Sequence, residues 1–188
     1  NKTLGIVGLG NIGSQVARRA QSFEMRTIAY DPFVPEDYAR TFRVTLVSLQ
    51  ELLAESDFVT LHTPLSQATR NLIGPAELEL VKPTTRIINC ARGGVVDEEA
   101  VAAALNDGTL AGAAFDVFGV EPPVASPLLT APHCILTPHL GASTIEAQTN
   151  VSVDVADQVV TVLEGRMAKY AVNAPHASAE LLPFIHMS

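Results

Sequence analysis

Gly8-Leu9-Gly10-Asn11-Ile12-Gly13 follows the apolar run Leu4-Gly5-Ile6-Val7, and Asp31 stands eighteen positions beyond the last glycine. The preceding run reads as a buried strand, and the stretch to about Phe23 has helical periodicity. The glycines therefore sit where a strand turns into a helix. Gly8 permits the tight turn, Gly10 lets a pyrophosphate approach the backbone, and Gly13 lets helix and strand pack closely. The helix start offers free N–H groups and a partial positive charge to phosphates. Asp31 closes a second apolar run, Thr27-Ile28-Ala29-Tyr30. A carboxylate there accepts hydrogen bonds from adenosine ribose hydroxyls and repels a 2′-phosphate, which selects NAD over NADP.

Strand-like runs recur at 4–7, 26–30, 43–47, 57–61, 85–89, 111–115 and 134–137, with helical patterns between most of them. In 11–23 the spacing places Ile12, Val16, Ala20 and Phe23 on one apolar face, with Arg18 and Arg19 outward. Ser48-Leu49-Gln50-Glu51 and Ser143-Thr144-Ile145-Glu146 have the capping-box pattern. The second opens a long helix to about Glu164 that stops at Gly165. Asp97-Glu98-Glu99 puts acid in the first turn of another helix, which ends near Asn106 with Gly108 as its stop. Such alternation predicts an α/β doubly wound (Rossmann) fold, a mostly parallel sheet with helices on both faces. Residues 117–133, rich in proline, form the longest irregular stretch, and a loop of that length is usually functional.

The 188 residues carry a net charge of −8, and 47% of them are hydrophobic. The isoelectric point is near 5.0 and the mean hydropathy +0.24. A sizeable core is possible, and without a basic patch neither nucleic acid nor an anionic membrane is an expected partner. Cys90 and Cys134 form no disulfide framework, so a reducing cytoplasm is expected. No apolar run reaches the length of a membrane span, and no signal peptide is expected. No His/Cys/Asp cluster has metal-ligand spacing, so no metal site is expected.

In a doubly wound sheet, ligands bind at the carboxyl ends of the strands. The distinctive polar residues fall there: His62-Thr63-Pro64, then Asn89-Cys90-Ala91-Arg92-Gly93-Gly94, then Asp116 and Glu121, then Thr137-Pro138-His139. Arg92, between a buried strand and a Gly-Gly turn, suits bidentate binding of a substrate carboxylate and polarisation of the adjacent carbonyl. His139 suits proton exchange in a carbonyl/hydroxyl interconversion. Taken alone it reads as a helix-entry histidine, and its functional reading rests on its company. Glu121 can hydrogen-bond His139, orient it and raise its pKa; it reads equally well as a solvated loop glutamate. His62, Thr63 and Pro64 read as structure or as a wall around the nicotinamide or ribose. Cys90 is read as a strand end beside the cofactor and not as a nucleophile.

Gly-Leu-Gly-Asn-Ile-Gly, Asn-Cys-Ala-Arg-Gly-Gly, Phe115-Asp116-Val117-Phe118 and the run Thr137 to Thr144 together make the chain resemble the D-isomer-specific 2-hydroxyacid dehydrogenases over residues 1–175. Within that family, Cys90 to Gly94 and His139 to Thr144 are most similar to the branch that oxidises phosphorylated D-3-glycerate, the first step of serine synthesis. The resemblance implies catalysis by Arg92, Glu121 and His139. It implies NAD contact by Asn11, Ile12, Asp31, Thr63, Cys90, Ala91, Arg92, Asp116, His139, Leu140, Gly141 and Ala142. It further implies a homodimer through the cofactor domain and a small 2-hydroxy or 2-oxo acid as substrate. Residues 1–175 are then the cofactor domain, and 176–188 start the return, through Val172-Asn173-Ala174-Pro175, into a substrate domain otherwise missing from this chain. Asn11 stands where many relatives have arginine, and Gly119 where many have glutamate. Two other functions fit the same motifs: a reductase of glyoxylate, hydroxypyruvate or another 2-oxo acid, and an NAD-sensing corepressor-like scaffold.

Overall fold

The computed structural model describes residues 2–171. Seven strands form one sheet in the order β3-β2-β1-β4-β5-β6-β7, every pair parallel. They are β1 (Thr3–Val7), β2 (Arg26–Tyr30), β3 (Thr45–Leu46), β4 (Phe58–Leu61), β5 (Arg86–Asn89), β6 (Gly112–Phe115) and β7 (Cys134–Leu136). All seven predicted runs are strands. The run predicted at 43–47 shrinks to two residues because it is the sheet's edge and pairs only with β2. The helices are α1 (Asn11–Ser22), α2 (Glu36–Thr41), α3 (Leu49–Glu55), α4 (Pro75–Leu78), α5 (Glu98–Asp107) and α6 (Ile145–Leu163). The strand order reverses at β1, which pairs with β2 on one side and β4 on the other. In such sheets the crevice outside the carboxyl ends at this switch point takes the ligand.

Helix α1 corrects the expected face. Its buried residues are Gly13, Ser14, Ala17 and Ala20, whereas Ile12 is 67% and Phe23 80% exposed. Small side chains make the contact because the helix lies close to the strand. A Cβ on Gly13 would stand 2.1 Å from the Gly8 carbonyl oxygen and 3.2 Å from Ile6. Leu4, Ile6, Leu9, Ala17, Ala20 and Ala29 form one core cluster. The larger cluster, including Ile28, Val59, Leu61, Ile87, Val101 and Phe115, fills the other face.

Helix caps follow the sequence in part. Ser48 Oγ accepts from Glu51 N–H, and Asp97 Oδ1 from Ala100 N–H. Gly108, in the left-handed region at φ 82°, ends α5 as expected. At α6 the cap is Thr144, bonded to Ala147 N–H, one residue later than the box predicted on Ser143 and Glu146. The irregular stretch 117–133 contains a 3₁₀ turn, Pro127–Leu129, whose Leu128 is buried.

The described chain divides into two units, one ending at Gly141 and one starting at Ala142. The second contains α6, of which no residue is buried. The expected return crossing at 172–175 and the segment 176–188 lie outside the described residues.

Candidate active site

Because every strand is parallel, the turns after β1, β2, β4, β5, β6 and β7 all emerge at one edge of the sheet. That edge gathers the predicted residues from Gly8 to Gly141; Ala142 opens the second unit.

The turn after β1 is built for close approach. Gly8 has φ +93°, and a Cβ there would meet His62 O and Thr63 Cγ2 at 2.9 Å. The glycine turn and the residues after β4 are thus in contact. Gly10 is the N-cap of α1, where no side chain caps the helix start. A Cβ on Gly10 would meet nothing within 4 Å, so the backbone of Gly10, Asn11 and Ile12 faces open space. Asp31, at the end of β2, accepts from Leu9 N–H through Oδ2 and from Phe33 N–H through Oδ1, both at 2.9 Å. It therefore braces the glycine turn as well as presenting a carboxylate. Thr63 Oγ1 is a buried hydroxyl with no hydrogen-bond partner. An uncapped helix start, an open glycine cradle and an adjacent acidic acceptor fit a dinucleotide, whose phosphate suits a free helix end and whose ribose hydroxyls suit a carboxylate. His62 Nε2 lies 3.0 Å from Thr60 Oγ1, and burial lowers its pKa, which keeps the ring neutral beside the cradle.

After β5, the buried Asn89 organises the turn. Its Oδ1 accepts from Ala91 N–H, and its Nδ2 donates to Arg92 O. This places Arg92 at the rim, with one guanidinium N–H on Ala91 O at 2.6 Å. Arginine has five donors in a planar fork, so the charge and most of its donors can meet an anion. A Cβ on Gly93 would fall 1.8 Å from Phe118 O. The Arg92 turn and the loop carrying Glu121 are therefore packed backbone against backbone. Cys90, two residues before Arg92, has its thiol pKa raised by desolvation and then by the Asp116 charge, which argues against a thiolate nucleophile.

His139 Nδ1 lies 2.8 Å from Glu121 Oε2, joining residues eighteen apart in sequence. A carboxylate only accepts, so Nδ1 carries the proton, and in the neutral ring the acceptor lone pair is on Nε2. The hydrogen bond with His139, and then the one from Phe118 N–H to Oε1, hold Glu121 below the usual carboxylate range. His139 itself adopts φ +56°. The left-handed turn lets the Leu140 and Gly141 N–H groups converge on Asp116, each at 2.7 Å. Thr137 Oγ1 donates to the same carboxylate at 2.5 Å. Burial pushes the Asp116 pKa up, but these hydrogen bonds outweigh it and hold the group charged. Asp116, expected at the cofactor, has both oxygens engaged in shaping the His139 turn. Among the described residues, no group of three or more acidic, histidine or cysteine side chains is placed to hold a metal.

Asn89, Thr137 and Glu98 complete this edge in roles that the sequence did not assign to them. Asn89 lay inside a quoted motif, but its bonding to the turn carried no sequence signal.

The family model described as D-isomer specific 2-hydroxyacid dehydrogenase, NAD binding domain, matches residues 1–141. This chain belongs to that family. The 2-hydroxyacid dehydrogenase match ends at the boundary between the two units. A D-3-phosphoglycerate dehydrogenase of Synechocystis is 51% identical over 181 residues, covering 96% of this chain and 33% of its own length. A glyoxylate reductase from Paecilomyes thermophila superposes with a TM-score of 0.81 at 39% identity, over 87% of this chain and 50% of that one. A D-isomer specific 2-hydroxyacid dehydrogenase from Lactobacillus delbrueckii, in an NAD-complexed form, does so with 0.82 at 33% identity, over 92% and 56%. The chain thus spans about a third of the curated relative it matches and about half of the solved structures. NAD is the cofactor of this domain.

Proposed function

We propose that this chain is the cofactor-binding part of an NAD-dependent dehydrogenase that oxidises D-3-phosphoglycerate to 3-phosphohydroxypyruvate, the first step of serine biosynthesis. The observation that carries the reading is the His139–Glu121 pair at 2.8 Å, on a loop packed against the Arg92 turn. The phosphorylated substrate is supported by the Synechocystis relative.

Arg92 holds the substrate carboxylate in its fork and polarises the C2 oxygen beside it. Neutral His139 takes the C2 hydroxyl proton at Nε2. Its ring then carries a positive charge, which the Glu121 carboxylate stabilises while fixing the ring's orientation. Asp116 holds the turn that presents His139. In reduction the imidazolium returns its proton to the developing alkoxide. When bound at the glycine cradle, NAD⁺ supplies the hydride acceptor.

In this reading residues 1–175 form the cofactor domain and 176–188 lead back into a substrate domain. The protein is a cytoplasmic homodimer that works on a small acid, with no nucleic-acid or membrane partner. The free cysteines and the net charge of −8 support the compartment and the absence of polyanion binding. No helix of the described residues is long and apolar enough to cross a membrane. An apolar row on α6, Val151, Val155, Val159 and Val162, each more than half exposed, supports association.

A second reading, reduction of glyoxylate or a related unphosphorylated 2-oxo acid, is favoured by the structural likeness to the glyoxylate reductase. The deciding experiment follows NADH consumption by the full-length protein with phosphohydroxypyruvate, hydroxypyruvate, glyoxylate and pyruvate. Preference for the phosphorylated acid is expected. Preference for an unphosphorylated one selects the second reading, and NADH binding without any turnover favours the scaffold.

A further inference from the structure

The loop that carries Glu121 is anchored at its ends and thinly held between them. Phe118 and Leu128 are buried, whereas Val120 is 74% and Val124 81% exposed. Beneath it lies a cavity of about 360 Å³, lined by Val96, Glu98, Val124 and Pro127 among others. Apolar packing therefore does not fix residues 119–126.

Glu98 reaches the loop from outside it. This residue opens α5, directly after the Asp97 cap, so its backbone is fixed by the helix. Its Oε1 accepts from Gly119 N–H at 2.7 Å, and its Oε2 accepts from Ser126 Oγ–H at 2.5 Å. The two contacts bracket Glu121. Both are short bonds to an ionised acceptor, the stronger class of hydrogen bond. The partners lie 21 and 28 residues away in sequence, so the carboxylate closes the loop against the helix at two points. The Gly119 bond sits next to Phe118, whose N–H fixes the other oxygen of Glu121.

We propose that Glu98 is a positioning residue that clamps the loop aiming Glu121 at His139. The proposal rests on the reading of Glu121 and His139 as the pair that handles the proton. Glu98 touches neither the substrate nor the reacting atoms; it acts through Glu121.

The test uses the full-length protein and whichever 2-hydroxy acid the wild type oxidises. Glu98→Ala is expected to lower kcat roughly tenfold, because misplacement of less than 1 Å has consequences of this order. The KM for the acid and the NADH dissociation constant should stay within about twofold of wild type, since neither site is touched. Glu98→Gln should restore at least about half of kcat, because an amide can still accept from Gly119 N–H and can donate to Ser126 Oγ. In a Glu121→Ala background, Glu98→Ala should cost nothing further, the signature of two residues acting through one interaction. An equal loss in that background, or no rescue by glutamine, overturns the proposal.

Amide hydrogen exchange gives a readout independent of activity. Glu98→Ala should speed exchange across 118–126 about tenfold or more and leave 3–7 and 58–61 unchanged. Unchanged exchange in the loop removes the clamp whatever the kinetics show. A wild type that turns over no 2-hydroxy acid refutes the proposed function, and the exchange experiment then decides on the clamp by itself.

Discussion

Replacing Gly93 by alanine should separate the turn of Arg92, the proposed carboxylate-binding arginine, from the loop whose Glu121 pairs with His139. The added Cβ would lie 1.8 Å from Phe118 O and 2.6 Å from Gly119 N. Real Cβ atoms essentially never come closer than 3.0 Å. One of the two backbone segments must therefore retreat by at least about 1.2 Å, and neither contact is a flexible side chain that could swing away. Overpacking of this kind costs about 1–3 kcal/mol of stability. A shift near 1 Å in a catalytic group can cost about a hundredfold in rate. The expected outcome for Gly93→Ala in the full-length protein is a loss in kcat/KM of about a hundredfold and a lower melting temperature. NADH binding should fall by less than kcat/KM, because the glycine cradle and Asp31 belong to other strands and only the Cys90–Arg92 contacts lie on the displaced turn. Steady-state kinetics, a thermal melt and a fluorescence titration of NADH measure the three quantities. Turnover within twofold of wild type would show that the Arg92 turn and the Glu121 loop need not touch, and would refute the reasoning.

Arg92→Lys should lose most activity, because a point charge cannot reproduce the planar fork; near-normal turnover would remove Arg92 from the site. Asp31→Asn should weaken NADH binding about tenfold, the scale of one lost bond to a charged acceptor, roughly 1.5 kcal/mol. It should also narrow the preference for NADH over NADPH, both measured by titration. Asp57, bonded to Thr3 N–H, Lys82 and Lys2, has its pKa lowered from 3.8 to about 2. A depressed carboxylate contributes stability above its unfolded pKa and loses it as pH falls through the folded one. Asp57→Asn should therefore lower the melting temperature at neutral pH, with the difference shrinking between about pH 4 and pH 2. A constant difference across that range would contradict this assignment.

The sheet was legible in the sequence because buried parallel strands read as short apolar runs with turns at their ends. The predicted runs overlap all seven strands, with β3 the shortest because it sits at an edge. The face of α1 was not legible from hydrophobicity alone. Gly13, Ala17 and Ala20 win the contact by size, which leaves Ile12 and Phe23 outside. The cap of α6 moved from Ser143 to Thr144 because both residues carry a hydroxyl and only backbone geometry separates them. Arg92, Glu121 and His139 could be picked out because they stand after successive strands, and the structure pairs the last two. The roles of Asn89 and Glu98 could not, because each works through a pair of hydrogen bonds to turn or loop atoms that no local pattern encodes. Asp116 was visible, but its engagement with Thr137, Leu140 and Gly141 was not, since those partners are 21 to 25 residues away.

The order β3-β2-β1-β4-β5-β6-β7 has a bearing on how such a domain can change. In the proposed reading, preference between the two nicotinamide cofactors is set after β2, on one side of the reversal at β1. In the same reading the chemistry is set after β5, β6 and β7, on the other side. Substitutions that swap the cofactor and substitutions that retune the reaction thus fall on separate strands, joined only through the shared sheet. A lineage, or a laboratory selection, can alter one trait while the other stays under its own constraint.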